Sequence, residues 1–197
     1  MTPGARVGIA APAGVVDPEH LEAGEQSLRE LGFEPVRRPD LTDRWGYLAG
    51  SDERRAAELT ELVEDPDIAA IVCARGGYGS GRILERLDPK VFRRARKPLV
   101  GYSDITCLLL WQQRVAGLMG IHGPMLERSG GLARDTGKSL FRALTGTGSP
   151  VHLSGRASVS GWGEGRLVGG SLTLVTASLG TAWEIDTRGA ILMLEEV

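Results

Sequence analysis

Ser103 is the residue whose setting most suggests chemistry. It lies in Lys97–Leu110, where Leu99 and Val100 end a short apolar run and Gly101 permits a sharp turn. Asp104 and Thr106 suit the first turn of a helix, and Ile105, Leu108 and Leu109 recur at helical spacing. A serine on a strand-to-helix turn is lifted toward solvent beside the amides that open the helix, which suits a nucleophile with an adjacent oxyanion hole. The second glycine of the Gly-x-Ser-x-Gly elbow is missing here, so an ordinary α/β-hydrolase elbow is excluded. A polar helix cap after a buried strand is the alternative reading.

Three other clusters carry chemical potential. Ala74-Arg75-Gly76-Gly77-Tyr78-Gly79-Ser80-Gly81 packs four glycines into six residues between a strand and a helix. Such a run lets backbone amides close on an anion. No Gly-Lys-Ser/Thr follows it and the spacing is not the dinucleotide fingerprint, so a tight turn or a small-anion site remains. His122 stands at the end of a short strand, where a base or a structural hydrogen bonder would both fit. A final apolar strand, Ala190–Leu194, delivers Glu195 and Glu196 to its end.

The elements that must position these residues alternate. A strand over Val7–Ala13 leads to a helix opened by Asp17-Pro18-Glu19 and closed at Gly32, then a strand at Phe33–Arg37. A second helix starts at Ser51 and stops at Asp65-Pro66, and Ile68–Cys73 is a nearly continuous apolar strand, as in a parallel sheet. The expected fold is α/β: an N-terminal, mostly parallel sheet with flanking helices over 1–128, a Gly/Ser/Thr-rich linker region over 129–164, and a partial strand-rich unit over 165–197. Short strands are expected at Val151–Leu153, Ala157–Ser160 and Gly165–Val168. Strand ends on one edge of a parallel sheet converge, so the glycine run, Ser103 and His122 are expected to share one mouth.

Composition narrows the classes. The 197 residues carry a net charge of −2 with both signs interspersed, so no basic surface points to nucleic acid. No apolar run is long enough for a membrane span and no signal peptide is recognisable. Cys73 and Cys107 sit in apolar runs and read as buried thiols rather than a disulfide or metal site, so no metal and no cofactor are expected, and a cytoplasmic location is.

Together, Arg75-Gly76-Gly77-Tyr78-Gly79, Lys97–Thr106 and His122-Gly123-Pro124-Met125 resemble the LD-carboxypeptidases, the murein tetrapeptide carboxypeptidases of the serine-peptidase family that includes microcin C immunity proteins. Ala10–Gly14 is similar to the family's N-terminal loop, Gly169-Gly170-Ser171-Leu172 to its Gly-Gly-Asn-Leu with Ser171 in place of Asn, and Ile191–Val197 to its acidic-ended strand. The resemblance implies a serine carboxypeptidase with a Ser-Glu-His triad and no metal, cutting the amide before a terminal D-alanine of murein tetrapeptides. It implies Ser103 as nucleophile, Glu195 as triad carboxylate with Glu196 as the neighbouring fallback, and the backbone amides of Gly77 and Asp104 as oxyanion hole. A murein peptide is the implied partner, and a homodimer the implied assembly. An immunity-type amidohydrolase acting on an aminoacyl-nucleotide analogue is the alternative within the family; a non-catalytic α/β anion-binding module is the alternative outside it.

The family's triad His lies well beyond the Glu-bearing strand, and none of His20, His122 and His152 matches it. The sequence is therefore expected to be the N-terminal portion of a longer enzyme, with little peptidase activity alone and a poorly covered C-terminal strand.

Overall fold

The computed structural model describes residues 1–148 and 152–196. Five strands, β1 (Arg6–Ala10), β2 (Glu34–Val36), β3 (Ile68–Cys73), β4 (Leu99–Gly101) and β5 (Ile121–His122), form one parallel sheet in the order β2-β1-β3-β4-β5. Helices α1 (Pro18–Glu30), α2 (Asp52–Glu64), α3 (Ser80–Ile83), α4 (Pro89–Ala95), α5 (Thr106–Trp111) and α6 (Arg134–Thr145) connect and cover it. The expected α/β architecture is present, and every pairing in this sheet is parallel.

The helices divide between the two faces. Leu59, Leu62, Phe92 and Leu108 pack with Ile68, Ile71 and Cys73 on one side. Leu21, Leu28, Leu140 and Leu144 pack with Val7, Ile9, Ala70 and Val72 on the other. Strand β3 sends side chains to both cores, which explains its unbroken apolar sequence. The helix starts follow local chemistry. Asp17 accepts a hydrogen bond from His20 N at 3.0 Å with Pro18 in the first position, and Ser51 accepts one from Arg54 N at 3.2 Å. Among the described residues no helix is long and apolar enough to cross a membrane.

The C-terminal part forms a separate two-stranded parallel sheet, β6 (Arg166–Ser171) and β7 (Ala190–Glu195), joined through α7 (Leu172–Ser178). Two expectations need correction. Ala157–Ser160 forms no strand: His152–Gly165 contains many small polar residues, and its Leu153, Val159 and Trp162 lie almost fully in water. Val151 lies outside the described residues, and Leu153 is not in a strand. β7 is the expected poorly covered strand: Ile191, Leu192 and Leu194 are exposed. It has β6 as its one neighbour among the described residues, so its apolar residues lack a covering layer.

The glycines of β6 are needed for this sheet. Gly169 has φ +137°, and a Cβ added to it would sit 1.7 Å from the Met193 carbonyl oxygen. No rotamer change relieves a backbone clash. Gly169→Ala is expected to separate β6 from β7: hydrogen–deuterium exchange should show protection lost at β7 amides while those of β3 keep theirs.

Candidate active site

Gly101 closes β4 because nothing larger fits. An added Cβ would lie 2.7 Å from Ile105 Cγ2. The backbone then turns through Ser103, which adopts φ +57°, one of two non-glycine residues in the left-handed region among those described. A side-chain-bearing residue held there marks a constrained turn. The turn leaves Ser103 half-buried and drives Asp104 and Ile105 into the interior.

Asp104 is tied to the end of the glycine loop twice. Its carboxylate accepts a hydrogen bond from Ser80 N at 2.8 Å, and its backbone carbonyl accepts one from Ser80 Oγ at 2.5 Å. Both residues are buried. The clasp draws the loop against the serine: a Cβ on Gly76 would stand 3.2 Å from Ser103 Cβ and 3.3 Å from both Ser103 Oγ and Asp104 N. Gly77 and Gly79 have φ of +106° and +121°, which glycine alone adopts readily.

Buried charges fix the loop from behind. Gly14 N donates to the Gly76 carbonyl at 3.0 Å. Arg55, fully buried on α2, donates to the carbonyls of Gly79 at 2.8 Å and Pro12 at 2.5 Å, and pairs with Asp52. Glu58, also fully buried, accepts from Ala11 N at 2.7 Å and pairs with Arg54 at 2.9 Å. Burial pushes the Glu58 carboxyl up and the Arg55 guanidinium down; the Arg54 charge draws Glu58 back and Asp52 does the same for Arg55.

The C-terminal sheet brings an acid to this neighbourhood. Glu195 lies in register with Ser171, whose N–H donates to Thr106 Oγ1 at 3.2 Å, three residues beyond Ser103. Gly170 permits the approach, since its Cβ would meet Thr106 Oγ1 at 2.6 Å. Glu195 Oε1 is buried and has no hydrogen-bond partner among the described residues. Glu196 differs: its Oε2 accepts from Thr173 N at 2.9 Å and Thr173 Oγ1 at 2.7 Å, closing the first turn of α7.

His122 pairs with Gly101 across β4 and β5, and its ring lies 6.1 Å from that of Tyr102. Burial lowers its pKa below the ordinary 6.5, and the nearby Glu195 charge opposes that shift. The glycine loop and Ser103 turn are thus in contact, with His122 and Glu195 beside them. His20 lies apart on α1, and His152 is exposed. Cys73 and Cys107 are free buried thiols, and burial pushes Cys107 up to about 12. Among the described residues no His/Cys/Asp/Glu group could hold a metal. Arg55 and Glu58 escaped the sequence reading, as did the contacts that Ser80 makes with Asp104 and Thr106 with Ser171; a charged pair on the apolar face of an amphipathic helix was the available signal for Arg55 and Glu58.

Residues 7–123 match the LD-carboxypeptidase N-terminal domain and residues 164–197 the LD-carboxypeptidase C-terminal domain. The chain belongs to the LD-carboxypeptidase family. It is 40% identical over 200 residues to a probable murein peptide carboxypeptidase of Bacillus subtilis, covering 98% of this chain and 63% of that protein. It is 35% identical to the murein tetrapeptide carboxypeptidase of Pseudomonas aeruginosa, covering 98% and 66%. Among solved structures, a muramoyltetrapeptide carboxypeptidase from Oxalobacter formigenes superposes with a TM-score of 0.86 at 29% identity, covering 96% of this chain and 65% of the other. The microcin C7 self-immunity protein in complex with aspartyl sulfamoyl adenosine gives 0.86 at 27% identity, covering 98% and 69%. The chain therefore spans just under two thirds of the length of these two curated carboxypeptidases.

The closeness of Gly76 to Ser103 is testable. Gly76→Ala must displace the serine or the Asp104 amide by a few tenths of an ångström. Labelling of Ser103 by a fluorophosphonate, followed by mass spectrometry, is expected to slow roughly tenfold, with the thermal midpoint little changed.

Proposed function

We propose that this chain carries the nucleophile, oxyanion hole and acid of a serine LD-carboxypeptidase that removes the terminal D-alanine from murein tetrapeptides. The nucleophile belongs to the unit over 1–128 and the acid to that over 165–197. The observation that carries the reading is the Ser103 hydroxyl, held in a left-handed turn against the glycine loop beside the Asp104 amide. The buried, unpartnered Oε1 of Glu195 adds support, because such an oxygen calls for a donor, and a triad imidazole is one.

In this mechanism Ser103 Oγ attacks the carbonyl carbon of the amide before D-alanine, and its proton passes to an imidazole. The carbonyl oxygen becomes an oxyanion between the N–H groups of Gly77 and Asp104, each donor contributing about 3–4 kcal/mol to the transition state. Collapse breaks the C–N bond, the imidazolium returns its proton to the departing amine, and water then hydrolyses the seryl ester. Glu195 holds the imidazole in the right tautomer and offsets its charge. Glu196 is left to α7. None of the chain's three histidines matches the family's triad position, so the 197 residues are expected to run this sequence only slowly.

A second reading stays open within the family: cleavage of an aminoacyl-nucleotide analogue. Its support is the similarity to the immunity protein solved with aspartyl sulfamoyl adenosine. The two readings share the nucleophile and differ in the pocket.

D-alanine release from a murein tetrapeptide by the purified chain tests this. Release is expected to be slow and to change only a fewfold in Ser103→Ala, because loss of a second triad member adds little to loss of the first, whereas fluorophosphonate labelling is expected to disappear in that variant. Labelling that persists in Ser103→Ala contradicts the assigned nucleophile, rapid release contradicts the need for a further imidazole, and cleavage of aspartyl sulfamoyl adenosine alone moves the assignment to the second reading.

A further inference from the structure

The glycine loop opens on an arginine. Arg75 follows β3 and immediately precedes Gly76, and its side chain is 40% exposed. Its guanidinium nitrogens differ in their surroundings. Nη1 donates to the Val15 carbonyl at 2.9 Å. Nε donates to the Gly76 carbonyl at 3.3 Å and lies 3.3 Å from Glu127 Oε2. Nη2 makes no hydrogen bond among the described residues, and it stands 3.5 Å from the place a Cβ on Gly77 would take. Gly14 leaves room for the group, since a Cβ there would come within 3.1 Å of Nε. The planar head group is thus anchored on two sides and keeps one donor edge open beside the residue whose amide is assigned to the oxyanion.

The other cations near the loop are engaged. Arg55 is fully buried and holds Pro12, Gly79 and Asp52. Arg82 grips Asp52 through both Nε and Nη2. Arg44 lines the same cavity of about 630 Å³ as Arg75, and no hydrogen bond or ion pair joins it to the glycine loop among the described residues.

Cleavage at the end of a chain calls for a cation in the place Arg75 holds. A terminal residue carries its free carboxylate on the carbon next to the scissile nitrogen. Standard bond lengths put that carboxylate roughly 3–4 Å from the scissile carbonyl carbon. The group that recognises it must therefore stand beside the oxyanion hole. Gly76 abuts both Ser103 and the Asp104 amide, and Arg75 is its neighbour in the chain. A guanidinium with a free edge meets a carboxylate through charge-assisted hydrogen bonds. A site built for that charge discriminates against an ending that lacks it.

We propose that Arg75 binds the free carboxylate of the substrate's last residue and so restricts cleavage at Ser103 to the final amide of a chain. The assignment rests on the carboxypeptidase reading. Glu127 shares the same guanidinium: it holds the group in place and competes with an incoming carboxylate for it. Titration calorimetry of the 197-residue chain tests this, with a murein tetrapeptide ending in D-alanine and the same peptide ending in D-alaninamide. The acid is expected to bind roughly tenfold tighter than the amide. Arg75→Gln should abolish that preference by weakening the acid alone, with the amide titration showing that the variant still binds. Glu127→Gln should raise the preference, because the competing anion is gone; an ion pair that served only the loop's structure would not give these opposite signs. Arg44→Gln should keep the preference. Equal affinities in the unsubstituted chain, a preference that survives Arg75→Gln, one that falls in Glu127→Gln, or one that Arg44→Gln abolishes would overturn the assignment and leave the carboxypeptidase reading in place. If neither peptide binds, the carboxypeptidase reading falls and the assignment falls with it.

Discussion

Two hydrogen bonds between Ser80 and Asp104 join the two loops on which the candidate site depends. One is charge-assisted, and such bonds contribute about 1.5–3 kcal/mol. Their geometric effect matters more. Ser80 ends the loop that follows β3, and Asp104 stands in the turn that follows β4. The clasp joins the two loops directly and, with the Arg55 and Gly14 contacts behind the glycine loop, holds the glycine backbone against the Ser103 turn. Loss of either partner would also strand the other in the interior, where an unsatisfied polar group is costly.

Around this junction the chain accepts local costs. Ser103 holds a left-handed backbone, and Arg55 and Glu58 carry charges into the core. Each contact of these two with a loop ends on a main-chain atom: Arg55 on the carbonyls of Pro12 and Gly79, Glu58 on the amide of Ala11. The loops after β1 and β3 are therefore held by their backbones, leaving their side chains free to face a ligand. The C-terminal sheet meets the same turn through Ser171 and Thr106, and glycines at 169 and 170 allow it to come that near.

Much of this was legible in the sequence. β3 matched its apolar run because a strand buried on two faces has no alternation to hide. The Asp17 and Ser51 caps read correctly because capping is local chemistry. Gly101, Ser103 and the glycine run stood out because few backbones tolerate that spacing. The Ser80–Asp104 clasp was not legible, since it joins residues 24 apart through a polar pair with no periodic signature. Arg55 and Glu58 were hidden because charged residues on a helix ordinarily face water. The absence of a strand at Ala157–Ser160 was missed because it depends on what packs beside a segment, which composition does not report. The different surroundings of Glu195 and Glu196 were likewise not legible, since they depend on the β6–β7 register and the Thr173 contacts.

A crystal structure of the chain after reaction with a phosphonate ester analogue of the D-alanine amide tests the central arrangement most directly. The expected result is a phosphorus atom bonded to Ser103 Oγ, with one phosphoryl oxygen within about 3 Å of both the Gly77 and Asp104 nitrogens. An adduct on another residue, or a phosphoryl oxygen turned to solvent and away from the glycine loop, would contradict it.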